Sequence, residues 1–260
     1  MSYKFDGVDV AAWGVTPFTD EAGVALEGVF NLPKRTGETE HNWGTEIEAY
    51  VKAEDLVTDG RKLTLKVLLK GRNEADYTGK LEDFKRACVE LRRLSCEFGE
   101  FDVLVKDEVI VEELPECAAV VSVPMWEQTV VIPEPVITGS GKNGVSLDEF
   151  CLEKDFGVVV QDWKGGKSVG KRIEVQTTEP YLRTEFRDRG EVTLSCWMKC
   201  RDWLEAYAWV KQLQAVCMRP GLRELSFPDG TVCRGYVKDG MTVKPGFGCV
   251  LSFDLKIRMI

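Results

Sequence analysis

The chain has 260 residues, a formal net charge of −9 at pH 7 and 44% hydrophobic residues. These values exclude a disordered chain, and the acidic balance excludes a general nucleic-acid binder, which needs a basic face. The longest apolar runs, such as residues 117–123, are much shorter than the roughly 20 residues that cross a bilayer, and the first six residues do not resemble a signal peptide. We therefore expect a folded protein without a membrane segment, made in the cytoplasm, with its nine cysteines reduced.

The first half of the chain shows strand and helix patterns in a clear order. Apolar and polar residues alternate in LTLKVLLK, which predicts a strand with one face on a core. Strands are predicted at residues 63–70, 101–105 and 118–123. Between the first two, apolar residues recur at spacings of three and four, which predicts a helix with Leu81, Phe84, Cys88 and Leu91 on its buried face. We expect this helix to end near Ser95.

The second half repeats this order. Strands are predicted at residues 192–198, 225–227, 232–237 and 249–257. A helix is predicted from the spacing of Trp209, Leu213 and Val216, with Trp203 and Leu204 preceding it. Pro220 and Gly221 end this helix.

Four short matches connect the two halves at similar offsets. They pair Thr64, Leu65 and Lys70 with Thr193, Leu194 and Lys199, residues 105–107 with residues 237–239, Ser122 with Ser252, and residues 13–15 with residues 156–158. Because they occur in the same order, they predict a tandem duplication of an α+β, mainly β unit with one flanking helix. The predicted organisation is a first domain at 1–132, a Pro- and Gly-containing linker or crossover at 133–146, and a second domain at 147–260.

The sequence contains no convincing catalytic, metal or cofactor motif. Gly166, Lys167 and Ser168 resemble the end of a phosphate-binding loop, but Gln161 stands where that motif needs its first glycine. Cys196 and Cys200 lack a second pair of ligands for a metal ion. We expect a protein that is not an enzyme and has no metal or cofactor. A hydrolase with dispersed carboxylates stays open as an alternative.

A polar stretch between residues 32 and 44 is the candidate functional segment. It is long, mixed in charge and almost without apolar residues before its tryptophan, so it is either a surface loop or an arm that contacts a neighbouring subunit. The candidate contact residues are Lys34, Arg35, Glu38, Glu40, His41 and Trp43. The single histidine of the chain lies here in a polar setting, which favours a surface position over a catalytic one.

The opening of the chain resembles the first domain of phage distal tail proteins. The resemblance rests on FDGVD at residues 5–9, WGV at 13–15, the basic KRTG loop at 34–37, and the strand at 63–70 with its following helix. In the second half TTEP at residues 177–180 stands where the basic loop would lie. The resemblance implies a tail-tube fold, a β-sandwich or split barrel with one helix, of which six copies surround a channel for DNA.

This resemblance predicts a structural protein of a phage or prophage-derived tail tip, located in the virion tail. Its expected partners are copies of itself in a trimer or hexamer, neighbouring tail proteins, and DNA that passes through the ring without specific binding. Two alternatives stay open. One is a tube or hub component of a contractile injection system, and the other is a module that binds carbohydrate or a host surface through tryptophans such as Trp126, Trp163 and Trp203.

Overall fold

The computed structural model describes residues 2–19, 22–43, 47–165, 171–175, 182–186 and 190–260, and most of the strands among them belong to two large antiparallel sheets. Strands account for 43% of the chain and helices for 19%, which confirms the predicted α+β, mainly β class. No helix among the described residues is long and apolar enough to cross a membrane.

The elements follow one another in two series. The first series is β1 (Lys4–Phe5), β2 (Val8–Asp9), a 3-10 helix (Val10–Trp13), β3 (Val15–Pro17), β4 (Leu26–Glu27), β5 (Glu40–Asn42), β6 (Ile47–Ala49), a 3-10 helix (Ala53–Asp55), β7 (Arg61–Lys70), α1 (Glu74–Glu90), β8 (Arg93–Cys96), β9 (Gly99–Val105), β10 (Ile110–Leu114) and β11 (Ala118–Glu127). The second series is β12 (Ser146–Leu147), β13 (Phe150–Cys151), α2 (Leu152–Phe156), β14 (Val158–Lys164), β15 (Lys171–Val175), β16 (Leu182–Phe186), β17 (Glu191–Lys199), α3 (Trp203–Cys217), β18 (Arg223–Ser226), β19 (Val232–Tyr236), β20 (Val243–Gly246) and β21 (Val250–Met259).

The two sheets have the same strand order. The first runs β2-β1-β8-β9-β11-β7-β3, with β10 paired to β11 and β4 paired to β7. The second runs β13-β12-β18-β19-β21-β17-β14, with β20 paired to β21. Each position of one path therefore has a counterpart in the other, and the predicted strands at residues 63–70 and 192–198 lie in the counterparts β7 and β17.

The register of the central strands corrects one of the sequence matches. With Lys70 aligned to Lys199, the counterpart of Lys66 in β17 is Ser195. Ser122 lies opposite Lys66, whereas Asp254 lies opposite Ser195. The register therefore aligns Ser122 with Asp254, and its predicted equivalence with Ser252 is wrong, since identity at a single position does not fix a register.

Two short helices end at equivalent glycines. These glycines are the middle residues of the matched segments 13–15 and 156–158. The 3-10 helix of residues 10–13 ends at Gly14, with φ of 71°, and α2 ends at Gly157, with φ of 66°. Glycine adopts this left-handed conformation without steric cost from a Cβ atom. The strand after Gly14 begins opposite Leu69, and the strand after Gly157 begins opposite Met198, which has the same place in β17 as Leu69 has in β7.

A second pair of turns was not recognised in the sequence. Asp6 and Asp148 have left-handed backbones, with φ of 49° and 55°. Their carboxylates accept hydrogen bonds from the backbone N–H groups of Arg93 and Glu224, both at 2.8 Å. Aspartate is one of the few non-glycine residues that adopt this conformation readily, and here each carboxylate also bonds to a strand distant in the chain. The turn at Asp6 holds β1 beside β8, and the turn at Asp148 holds β12 beside β18.

Helix α1 ends earlier than predicted. It ends at Glu90, and Ser95 lies in β8 instead of at a frayed helix end. The carboxylate of Asp6 accepts hydrogen bonds from the N–H groups of Arg92 and Arg93, which directs the chain into the sheet. A contact with a residue near the start of the chain therefore sets this boundary.

The helices α1 and α3 begin in the same way. Their N-cap residues are Asn73 and Asp202, which accept hydrogen bonds at 2.9 Å from the N–H groups of Asp76 and Glu205. These bonds satisfy backbone donors that have no partner within a helix.

We expect Asn73→Ala to lower the free energy of unfolding by about 1 kcal/mol, because it removes the oxygen that accepts from the first turn of α1. Asn73→Ser keeps an acceptor and should stay near the wild-type value. Asp202→Ala should destabilise in the same direction. Urea unfolding followed by far-ultraviolet circular dichroism measures all three, and equal stability of the alanine and serine variants at position 73 would contradict this role.

Candidate assembly site

The candidate segment leaves the first sheet and lies along the edge of the second. Leu32 and Met241 form two reciprocal backbone hydrogen bonds of 2.9 Å, and the N–H of Arg35 donates to the carbonyl of Lys238 at 3.0 Å. We call the contact of residues 31–40 with residues 236–243 and 258 the seam. It joins the two halves within one chain.

Arg35 is the buried end of the candidate loop. Its side chain is 6% exposed, and its guanidinium donates to the carbonyls of Tyr50 and Asp55 and lies 5.1 Å from the ring centre of Tyr236. Burial lowers the pKa of Arg35 from its ordinary value. Lys34, the preceding candidate, is exposed. The two basic residues therefore have different roles, and Arg35 holds the loop against the second sheet.

Glu40 makes the densest set of charged contacts across the seam. Its carboxylate accepts from the hydroxyl of Tyr236 at 2.9 Å and from the guanidinium of Arg258 at 3.1 Å, and it lies 3.7 Å from the Lys238 ammonium. Burial raises the pKa of Glu40, but the hydrogen bonds from Arg258 and Tyr236 outweigh this effect and hold the pKa below its ordinary value. The charged form of Glu40 therefore stabilises the seam.

We expect Glu40→Gln to lower the free energy of unfolding at pH 7 by about 1–2 kcal/mol, because it removes charge-assisted hydrogen bonds. A carboxylate with a depressed pKa stabilises the fold above its unfolded pKa and loses that contribution as the pH falls through its folded pKa. The difference between wild type and variant should therefore shrink on acidification from pH 7 to below pH 4. Urea unfolding across this range measures it, with the exposed Glu38→Gln as control. A difference that does not change with pH would contradict the prediction.

Glu38, His41 and Trp43 lie close together at β5, with Glu38 and Trp43 exposed and His41 half-buried. The ring of His41 lies 4.3 Å from that of Trp43, and its Nδ1 lies 3.4 Å from the Glu38 carboxylate. The indole of Trp43 donates to Glu48 at 3.0 Å, yet its side chain is 61% exposed. Contact of these three residues with a neighbouring subunit stays a prediction.

A buried ion pair at the base of the seam was missed in the sequence. Arg61 and Glu127 lie directly opposite each other on β7 and β11 and are 3% and 5% exposed. The guanidinium binds the carboxylate at 2.6 and 2.7 Å and also donates to the carbonyls of Val29 at 2.6 Å and Asn31 at 3.3 Å. The signal was present, because Arg61 continues the core-facing alternation of residues 63, 65, 67 and 69.

Aromatic packing joins the halves beneath the seam. The ring of Phe30 lies 5.7 Å from that of Phe98 and 5.8 and 6.2 Å from the rings of Trp203 and Tyr207 on α3. The buried side chain of Gln214 donates to the Phe30 carbonyl at 2.7 Å. One hydrophobic core therefore includes residues from both sheets.

The three tryptophans considered as sugar platforms have different environments. Trp203 is only 8% exposed and packs in the core, which excludes it as a platform. Trp126 is half-buried, and the ammonium of Lys106 lies 4.3 Å from the centre of its ring. Trp163 is 46% exposed beside Phe227. Trp163 is therefore the most exposed of these three side chains.

The pair of cysteines considered for metal binding forms no metal site among the described residues. Cys196 is buried, Cys200 is half-buried, and burial raises the pKa of both thiols, to about 12 and about 11. In the part of the chain that the structure describes, no group of three or more His, Cys, Asp or Glu side chains is arranged to hold a metal ion. Residues 166–168 and 177–180 lie outside the described residues.

The chain as a whole has no recognised similarity to known proteins. No protein-family model, no curated protein and no solved structure matches it. The geometry of the two sheets and the seam between them therefore carries the functional argument.

Proposed function

We propose that the protein is a structural component of the tail tip of a phage or prophage-derived particle, where it forms a ring around the DNA channel. The observation that carries this proposal is the presence, in one chain, of two sheets with equal strand order and register, joined by the seam. The resemblance of residues 5–15 and 34–37 to distal tail proteins supports the same role. The role is structural and not catalytic.

The form of the seam supports a ring. The first half contributes residues 31–40, whereas the second half contributes the edge at residues 236–243, so the two halves use different surfaces. Contacts of this head-to-tail kind build closed rings when successive rotations close. With two comparable units in each chain, three chains supply the six units of a tail-tube ring, and six chains are the alternative.

The proposal includes an origin by tandem duplication of one α+β unit. The equal register along β7 and β17, the left-handed glycines Gly14 and Gly157, and the matched N-caps of α1 and α3 support this origin. The partners would be further copies of the chain, neighbouring tail proteins and passing DNA. The net charge of −9 favours passage of DNA over specific binding.

Native mass spectrometry and negative-stain electron microscopy of the purified 29.2 kDa chain test the proposal. We expect three copies in a ring with six lobes, or six copies in a ring with one unit of each chain next to the channel. A monomer at every concentration, with no ring in the presence of tail proteins encoded by neighbouring genes, would overturn it.

Binding of carbohydrate is the second candidate function. Trp43 and Trp163 are 61% and 46% exposed, and exposed indole rings are suitable for stacking on sugar rings. Glycan-array binding by the wild type that is lost in Trp43→Ala or Trp163→Ala would favour this function. Absence of binding would leave the structural role as the better account.

A further inference from the structure

Each half of the chain has an equivalent turn between its last two strands. The β10–β11 turn ends at Cys117 and the β20–β21 turn ends at Cys249, and both cysteines have left-handed backbones, with φ of 54° and 58°. The carbonyl of Cys117 accepts a hydrogen bond from the N–H of Gly71 at 2.8 Å. The carbonyl of Cys249 accepts the equivalent bond from the N–H of Cys200 at 3.0 Å. The second half therefore has a cysteine on both sides of this hydrogen bond, whereas the first half has a cysteine and a glycine.

Cys200 and Cys249 lie directly opposite each other at one end of the second sheet. The β17–β21 ladder ends with the pair of Lys199 and Val250. The hydrogen bond from Cys200 to Cys249 extends this ladder by one residue pair. Directly opposite residues point to the same face of a sheet, and their Cα atoms are about 4.5–5.5 Å apart. A disulfide spans roughly 4.4–6.8 Å between Cα atoms, so the register brings these two thiols within bonding range.

The first half has no room for the same pair of thiols. Gly71 has the place of Cys200, and a Cβ atom built there would lie 2.5 Å from the Cβ atom of Tyr77 and 2.6 Å from its backbone. The start of α1 therefore requires glycine at this position. Cys117 lies in an equivalent turn but faces glycine, which makes it an internal reference for Cys249.

The two thiols of the second half are accessible to a small reagent. Both are half-buried at the margin of the core. Cys196 lies on the same strand as Cys200 but four residues away, about 13 Å along a strand, which is too far for a disulfide. Burial raises the pKa of Cys200 to about 11, and the neighbouring Glu205 and Cys249 act in the same direction. The reactive thiolate of Cys200 therefore forms more readily at alkaline pH.

We propose that Cys200 and Cys249 form a reversible disulfide that stabilises the second sheet when the protein meets a small oxidising disulfide. One protein thiol loses its proton, and its thiolate attacks a sulfur atom of the small disulfide and releases one small thiolate. The other protein thiol then loses its proton, and its thiolate attacks the protein sulfur of the mixed disulfide and releases the second small thiolate. The protein loses two electrons and two protons, and the reagent gains them as two small thiols.

The bond would connect the residue before α3 to the turn between β20 and β21. It would restrict the unfolded chain of the second half and leave the first half unchanged, because a disulfide acts mainly on the unfolded state. An excess of a small thiol would reverse it. The inference does not depend on the proposed ring.

Oxidised glutathione and the folded full-length protein test the proposal. After incubation at mildly alkaline pH, free thiols are alkylated, the protein is digested without reduction, and mass spectrometry of the peptides locates each disulfide. We expect a peptide pair joined through Cys200 and Cys249 that disappears after treatment with dithiothreitol. Oxidation should raise the Tm by about 5–10 °C.

Two serine variants separate this bond from general oxidation. Cys200→Ser should lose both the joined peptides and the rise in Tm. Cys117→Ser is the matched control and should keep both, and circular dichroism checks that each variant is folded. The wild-type peptide map decides the matter even if a variant does not fold. Glutathione adducts without the bond, a bond that forms only in urea, or a bond that leaves the Tm unchanged would each overturn the proposal.

Discussion

Glu127→Ala is expected to lower the free energy of unfolding by about 3–5 kcal/mol, because it leaves the buried charge of Arg61 without a counterion. The guanidinium is enclosed between β7, β11 and the carbonyls of Val29 and Asn31, and it is 3% exposed. If the Arg61 side chain moved to reach water, its guanidinium would lose the hydrogen bonds to these two carbonyls. The loss should therefore be far larger than for a surface pair.

Two variants distinguish the buried charge from the general effect of a substitution. Asp107→Ala removes the exposed partner of Lys62, at 3.4 Å, and should cost less than about 0.5 kcal/mol. Arg61→Met with Glu127→Leu removes both charges and should recover much of the lost stability, since an apolar pair of similar volume has no desolvation cost. Chemical unfolding of the single and double variants measures the free energy of unfolding of each and so gives a double-mutant cycle. A double variant as unstable as Glu127→Ala would contradict the expectation.

Gly240→Val is expected to destabilise the seam by about 2–4 kcal/mol, combining backbone strain with steric overlap. Gly240 has φ of 72°, and a Cβ atom at this position would lie 2.3 Å from the carbonyl oxygen of Leu32. The obstructing atoms are backbone, so rotation of a side chain cannot relieve the overlap. The variant should release residues 31–40, and the amides of Leu32 and Arg35 should lose protection from hydrogen exchange.

Gly37→Val is the matched control for Gly240→Val. Gly37 has a similar φ of 76°, but no atom lies within 4 Å of a Cβ built there. It therefore carries the backbone strain without the overlap, and the amides of Leu32 and Arg35 should keep their protection. Equal exchange in both variants would show that the close approach at Gly240 does not hold the seam. If the proposed ring is correct, only the Gly240 variant should lose it, because the seam orients the two halves.

Hydrophobic periodicity was sufficient to locate the main elements. The alternation at residues 63–70 and 192–198 corresponds to β7 and β17, and the spacing around Phe84 and Leu213 corresponds to α1 and α3. Each of these elements buries one face, so apolar residues occupy its buried positions and mostly polar residues its exposed ones. The two-residue strands β1, β2, β12 and β13 were missed because they are too short for a periodicity to develop.

In the candidate loop, local sequence predicted the exposed residues but not the residues that contact the other half. Its polarity predicted an exposed segment, and Lys34, Glu38 and Trp43 are exposed. Arg35 and Glu40 have the same polarity but make contacts with buried groups, and Glu40 meets Tyr236 in the other half. A contact between residues so far apart in the chain cannot be predicted from the residues that flank either of them. The end of α1 at Glu90 has the same origin in the distant Asp6.

By itself, the sequence determined the mainly β class and the places of the main strands and helices, because these depend on hydrophobic periodicity. Only the tertiary structure decided the strand order, the register that corrects the match of Ser122, the buried pair Arg61–Glu127 and the seam. These depend on contacts between residues far apart in the chain. Such contacts form only when burial of both surfaces offsets the entropy of closing long loops, which is a property of the whole fold and not of any segment.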